Sequence, residues 1–183
     1  MTFDTALTAA KTTAIALAFT LAATTLPAFA ADRLDEGDTA PAWTGVDLIS
    51  GDTIEFPAVL NDRPALILFW ATWCPYCKAF MPYAEGIQAD YADRGLQVVT
   101  FNHKERGAGD AGAYAKSLGF PMIAIAEADS IGDLYNVDFI PGLMVVDGDA
   151  KIVYRRKSTN LPAGKTVAEQ WDSEVRAVLD GLL

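Results

Sequence analysis

A chain of 183 residues is long enough for one ordinary domain, and 51% hydrophobic against 21% charged residues excludes a disordered polymer. A formal net charge of −10 leaves no basic face to neutralise phosphates, so no nucleic-acid partner is expected. The acidity otherwise discriminates little, because an acidic solvated surface is compatible with many partners.

Residues 1–30 read as a separate object. Lys11 precedes an uncharged run from Thr12 to Ala30 that ends Pro27-Ala28-Phe29-Ala30, and charge returns at Asp32 and Arg33. Small residues at Ala28 and Ala30 match the pattern cut by signal peptidase. The competing reading is an uncleaved anchor, since the run approaches the length of a bilayer span. Its Ala- and Thr-rich centre favours cleavage, and the absence of a Cys near the junction excludes a lipid anchor. Either way the folded part is expected outside the cytoplasm, in the periplasm.

Residues 31–36 read as a flexible lead-in and 37–183 as one domain. Trp43 to Leu48, the turn Ser50-Gly51-Asp52 and Thr53 to Phe56 predict a small β-hairpin. Ala65 to Trp70 is apolar without alternation, as in a strand buried on both faces. Ala71-Thr72-Trp73-Cys74-Pro75-Tyr76-Cys77 follows at once. Phe80, Tyr83, Ile87 and Tyr91 then recur at helical spacing, so a helix begins near Cys74 with Pro75 in its first turn. Leu96–Phe101 reads as a strand, Asp110–Leu118 as a helix, Met122–Ala126 as a strand and Ile131–Tyr135 as a short helical piece. Leu143–Val146 and Lys151–Arg155 flank the hairpin signal Asp147-Gly148. Thr166 and Glu169 form a capping box for a last helix whose Val167, Trp171, Val175, Val178 and Leu182 share one face. The order predicts an α/β domain, a central mixed β-sheet flanked by helices with an N-terminal β-hairpin extension.

Cys74 and Cys77 are the only cysteines. A bridge across two intervening residues closes almost no loop, so it contributes little by restricting the unfolded chain. The same spacing suits thiol–disulfide exchange, which needs an attacking thiolate and a second thiol to resolve the mixed disulfide. Cys74, at an exposed helix N-terminus where free N–H groups favour its anion, is the candidate nucleophile, and Cys77 the resolving thiol. Pro75 stiffens the turn and Tyr76 contributes to the redox poise. Two Cys and one His fall short of the usual four zinc ligands, so no metal site and no cofactor are expected.

The segment Phe69-Trp70-Ala71-Thr72-Trp73-Cys74-Pro75-Tyr76-Cys77-Lys78 resembles the active-site segment of TlpA-like proteins of the thioredoxin fold, a branch that includes exported reductases such as those serving cytochrome c maturation. Gly37…Ala40-Pro41 and Val137-Asp138-Phe139-Ile140-Pro141 extend the resemblance over roughly residues 36–182. It implies a cis peptide at Pro141, lying against the active-site pair, with the Ile140 backbone available to an incoming chain. The alternative is an ordinary strand-initiating proline. Cys74, Cys77 and Pro141 are thus the candidate catalytic residues, and Trp73, Pro75, Tyr76 and Ile140 the candidate substrate-binding residues. The implied partners are exported proteins carrying disulfides and a membrane thiol-electron donor, with the chain itself a monomer.

The chain departs from its relatives where a proton acceptor would stand. Leu68 occupies the place of the buried Asp of cytoplasmic thioredoxins, and Phe80 that of an acid found in several TlpA-like reductases. Glu85 and His103 are the remaining candidates for a general base, although His103 reads first as an exposed loop histidine. Two other activities stay open at this stage: a disulfide oxidase, and a copper-handling protein using both thiols with Met81 nearby on the helix face. A peroxidase lacks its Thr/Ser-x-x-Cys motif around Cys74.

Overall fold

β3 (Ala65–Trp70) is the centre of the molecule, and all six of its residues are buried, as its unbroken apolar run predicts. In the computed structural model, which describes Met1, residues 33–157, Leu161 and residues 163–183, it lies in a five-stranded sheet of order β5-β4-β3-β6-β7. The predicted leader, residues 1–30, falls outside the described residues after Met1. β4 (Gln97–Asn102) and β5 (Ile123–Ile125) run parallel to β3, while β6 (Gly142–Val146) pairs with it antiparallel and β7 (Ile152–Arg155) closes the edge. The hairpin β1 (Trp43–Val46) and β2 (Thr53–Phe56) forms its own two-stranded sheet, with Trp43 opposite Phe56.

Side chains alternate across a strand, so β3 feeds two cores. Leu66, Leu68 and Trp70 join the cluster that holds both cysteines, with Phe80, Ile87, Ala115, Trp171 and Val175 from the helices. Ala65, Ile67 and Phe69 face the other cluster, with Trp43 and Phe56 of the hairpin and Ile131 and Tyr135. Helices α1 (Pro75–Tyr91), α2 (Ala111–Leu118) and α4 (Val167–Leu182) thus contribute to the first core, and α3 (Asp129–Leu134) to the second.

The helix boundaries follow their caps. The Cys74 sulfur accepts from the Cys77 N–H at the start of α1, the Asp110 carboxylate accepts from the Ala113 N–H at the start of α2, and the Thr166/Glu169 capping box is formed in both directions. α3 begins at Asp129, two residues before the apolar signal at Ile131. The first hairpin strand ends at Val46 rather than Leu48. The chain leaves the hairpin there: Asp47 accepts from the Ala124 N–H at 2.8 Å, and the Leu48 N–H donates to the Ala124 carbonyl at 2.7 Å. Residues 37–40, directly after the lead-in read over 31–36, run along the β6–β7 hairpin, with Gly37 N–H donating to Ile152 O and Ala40 N–H to Ala150 O.

Candidate functional site

The sequence puts β3 immediately before Cys74, so the parallel strand delivers both thiols to the carboxyl edge of the sheet, where α/β folds bind ligands. Cys74 and Cys77 form a disulfide with Cα atoms 5.3 Å apart. Cys74 is the N-cap of α1 and Pro75 its first residue, where the missing N–H is no loss. The expected exposed Cys74 requires correction, because the residue is only 2% accessible. Its sequence neighbours Trp73 and Tyr76 are 37% and 59% exposed. Cys77 is buried as well.

Before β6 the chain turns at Ile140–Pro141, and that peptide bond is cis, as the resemblance implied. A groove of about 220 Å³ is lined by Tyr76, Phe139, Ile140, Pro141, Arg156, Val167 and Trp171, so it brings the Cys-Pro-Tyr-Cys turn and the proline turn to one surface. Four of the five predicted site residues flanking the cysteines therefore lie on or beside it: Tyr76, Ile140 and Pro141 line it, and Pro75 is exposed next to Tyr76. Trp73 stands on the other flank of Cys74.

That flank is held by the loop after β4, which the sequence did not mark. Glu105 accepts from the Thr72 N–H at 2.9 Å, from the Thr72 hydroxyl at 2.6 Å and from the Asn102 amide at 2.7 Å. Burial opposes its charge, but these hydrogen bonds outweigh burial and hold the carboxyl below its ordinary range. The Trp73 indole N–H donates to Lys104 O at 2.8 Å, and the Arg106 guanidinium covers its ring 3.6 Å from the centroid.

Two base candidates move away from the thiols. Glu85 is exposed on α1. His103, expected in a solvent-exposed loop, is 1% accessible and belongs to the opposite side of the sheet. Its N–H extends the strand by donating to Trp70 O at 2.8 Å, and its ring lies edge-on to Phe69 and over Gly132, with Nδ1 3.1 Å from Asp129. Leu68 and Phe80 are fully buried in the cysteine cluster. Met81, the residue raised for copper, is a core side chain of the same cluster. Among the described residues no three His, Cys, Asp or Glu side chains converge as metal ligands.

Comparison with known proteins agrees with this geometry. The chain is 32% identical over 121 residues to a thiol:disulfide interchange protein DsbE of Tatumella citrea, spanning 65% of this chain and 60% of that protein. It is 28% identical over 123 residues to a thiol-disulfide oxidoreductase ResA of Bacillus thuringiensis, spanning 67% and 69%. A crystal structure of a thiol:disulfide interchange protein from Chlorobium tepidum superposes with a TM-score of 0.59 at 21% identity, covering 79% of this chain and 98% of that one, which establishes the thioredoxin-like fold. The AhpC/TSA family matches residues 36–155, a stretch that holds the hairpin, both cysteines and the proline turn, and the chain belongs to that family.

Proposed function

We propose that this chain is a thiol:disulfide oxidoreductase of the cell envelope that works as a protein-disulfide reductase through Cys74 and Cys77. One observation carries the reading: the disulfide caps α1 beside a turn whose Ile140 N–H and C=O have no hydrogen-bond partner among the described residues. Such an open main-chain edge can pair with an extended polypeptide, and a groove rimmed by exposed aromatic side chains can cover it.

The exchange needs no cofactor. In the reduced protein the Cys74 thiolate, favoured by the N–H groups opening α1, attacks one sulfur of a substrate disulfide. A Cys74–substrate bond forms, the substrate S–S bond breaks, and the departing sulfur takes a proton. Cys77, losing its own proton, then attacks Cys74 Sγ. The Cys74–Cys77 bond forms and the second substrate thiol leaves, so two electrons pass from the pair to the substrate. Pro75 and Tyr76 shape the turn between the sulfurs, while Trp73, Tyr76 and Ile140 contact the polypeptide. Residues 1–30 serve as the cleaved export signal, and a membrane thiol donor re-reduces the monomeric domain.

The equilibrium reduction potential of the purified protein tests the direction. A value near or below about −270 mV is expected of a reductase. A value near about −120 mV would make the chain a disulfide donor and overturn the reductase reading.

A further inference from the structure

In the turn between α3 and β6, cations hold four carbonyls, those of Asn136, Val137, Asp138 and Pro141. Arg155 ends β7 and Arg156 follows it, and their side chains leave in opposite directions, Arg155 toward Met144 and Arg156 toward Trp171. Arg155 donates from Nη2 to Asn136 O at 2.9 Å. Lys104 Nζ donates to Val137 O at 3.2 Å and to Asp138 O at 3.3 Å. Arg156 donates to Pro141 O from Nε at 3.1 Å and from Nη2 as well. Between the carbonyls held by Lys104 and the one held by Arg156, Phe139 and Ile140 keep main-chain carbonyls without a partner among the described residues.

Arg156 is itself fixed. Its N–H donates to Leu143 O at 2.9 Å, and its guanidinium lies over the rings of Phe139 and Trp171, 4.6 Å and 4.7 Å from their centroids. A planar cation can present two donors to one oxygen while its plane lies against aromatic rings, which an ammonium cannot do. Phe139, 46% exposed, depends on this stack for a fixed position at the mouth of the groove.

We propose that Arg156 is a positioning residue for polypeptide binding: by clamping the Pro141 carbonyl and the Phe139 ring it holds the Ile140 main chain aligned for a substrate strand beside Cys74. The role rests on the oxidoreductase reading above. It acts through the proline turn, so it governs capture of an extended chain rather than the electron affinity of the thiols.

The test compares the wild-type protein with Arg156→Gln and Arg156→Lys in reducing a fluorogenic peptide that carries an intrachain disulfide. Folding is checked by circular dichroism, and each reduction potential is measured in a glutathione buffer. Arg156→Gln is expected to raise KM about tenfold, with kcat changed less than about twofold and the potential unmoved. Arg156→Lys, which keeps the cation and a donor for the Pro141 carbonyl but loses the stacked plane, is expected to recover part of that loss, and it carries the test should the Gln variant fail to fold. A KM within about twofold of wild type in a folded variant overturns the proposal, as does an equal effect of both substitutions through kcat alone. A wild-type protein that cannot reduce the peptide at all would instead sink the oxidoreductase reading.

Discussion

Glu105 holds Thr72 by two hydrogen bonds, at 2.9 Å to its N–H and 2.6 Å to its hydroxyl, two residues before Cys74. The loop after β4 therefore fixes the approach to the redox turn from outside α1. Because these bonds favour the charged carboxyl, its folded value lies below the ordinary 4.5. The unfolded chain then takes up a proton at higher pH than the folded one, so acid favours unfolding. This contribution is complete above the unfolded value and is lost as pH falls through the lowered folded one. Urea unfolding between neutral pH and about pH 3 is expected to show a smaller acid loss in Glu105→Gln than in wild type, while Glu105→Ala costs about 1–3 kcal/mol at neutral pH. Equal acid slopes in wild type and Glu105→Gln would remove Glu105 from this role.

Replacing Cys77 with Ser removes the resolving thiol and leaves the attacking one. Cys77→Ser is expected to accumulate a mixed disulfide between Cys74 and a peptide disulfide substrate, visible as added mass under non-reducing conditions and released by dithiothreitol. Cys74→Ser is expected to form none. Adducts on the second variant would reverse the roles assigned to the two sulfurs.

Gly132 lets α3 lie against the His103 ring. A Cβ added there would come within 2.3 Å of that ring, so Gly132→Ala must displace a buried side chain and is expected to cost about 1–3 kcal/mol in urea denaturation. Gly181, in the last turn of α4, has open space around the same atom. Gly181→Ala should gain up to about 1 kcal/mol from helix propensity. Similar responses at the two positions would contradict the close approach of α3 to His103.

Thr166 and Glu169 satisfy two N–H groups that α4 would otherwise leave bare. Thr166→Ala is expected to lower stability by about 0.5–2 kcal/mol, read as a fall in urea midpoint with an unchanged slope. Since Trp171 of α4 packs edge-on to Phe80 and stacks on Arg156, the loss should also appear as altered tryptophan fluorescence.

Local signals carried far in this sequence. The unbroken apolar run of β3, the Cys-Pro-Tyr-Cys turn opening α1, the Asp147-Gly148 hairpin and the Thr166/Glu169 cap are each written within a few neighbouring residues, and each appears where its chemistry puts it. What escaped depends on partners distant in sequence. His103 is buried because Gly132, twenty-nine residues on, leaves room for its ring. Cys74 is buried in a cluster that includes Leu143, Trp171 and Val175, all distant in sequence. Glu105 and Arg156 meet Thr72 and Pro141 at separations of 33 and 15 residues, which no periodicity announces. The triplet Arg155-Arg156-Lys157 was nonetheless a signal in plain view, an unusual basic cluster in an acidic chain.

The alternation of β3 has a bearing on how the protein tolerates change. Leu66, Leu68 and Trp70 support the thiols, whereas Ala65, Ile67 and Phe69 support the hairpin and α3. Sequence drift in the hairpin or in α3 is therefore buffered by one whole layer of backbone before it reaches a sulfur atom. A one-residue slip of this strand would exchange the two linings at a stroke, so a short insertion in the hexapeptide from Ala65 to Trp70 would damage the scaffold and the chemistry together.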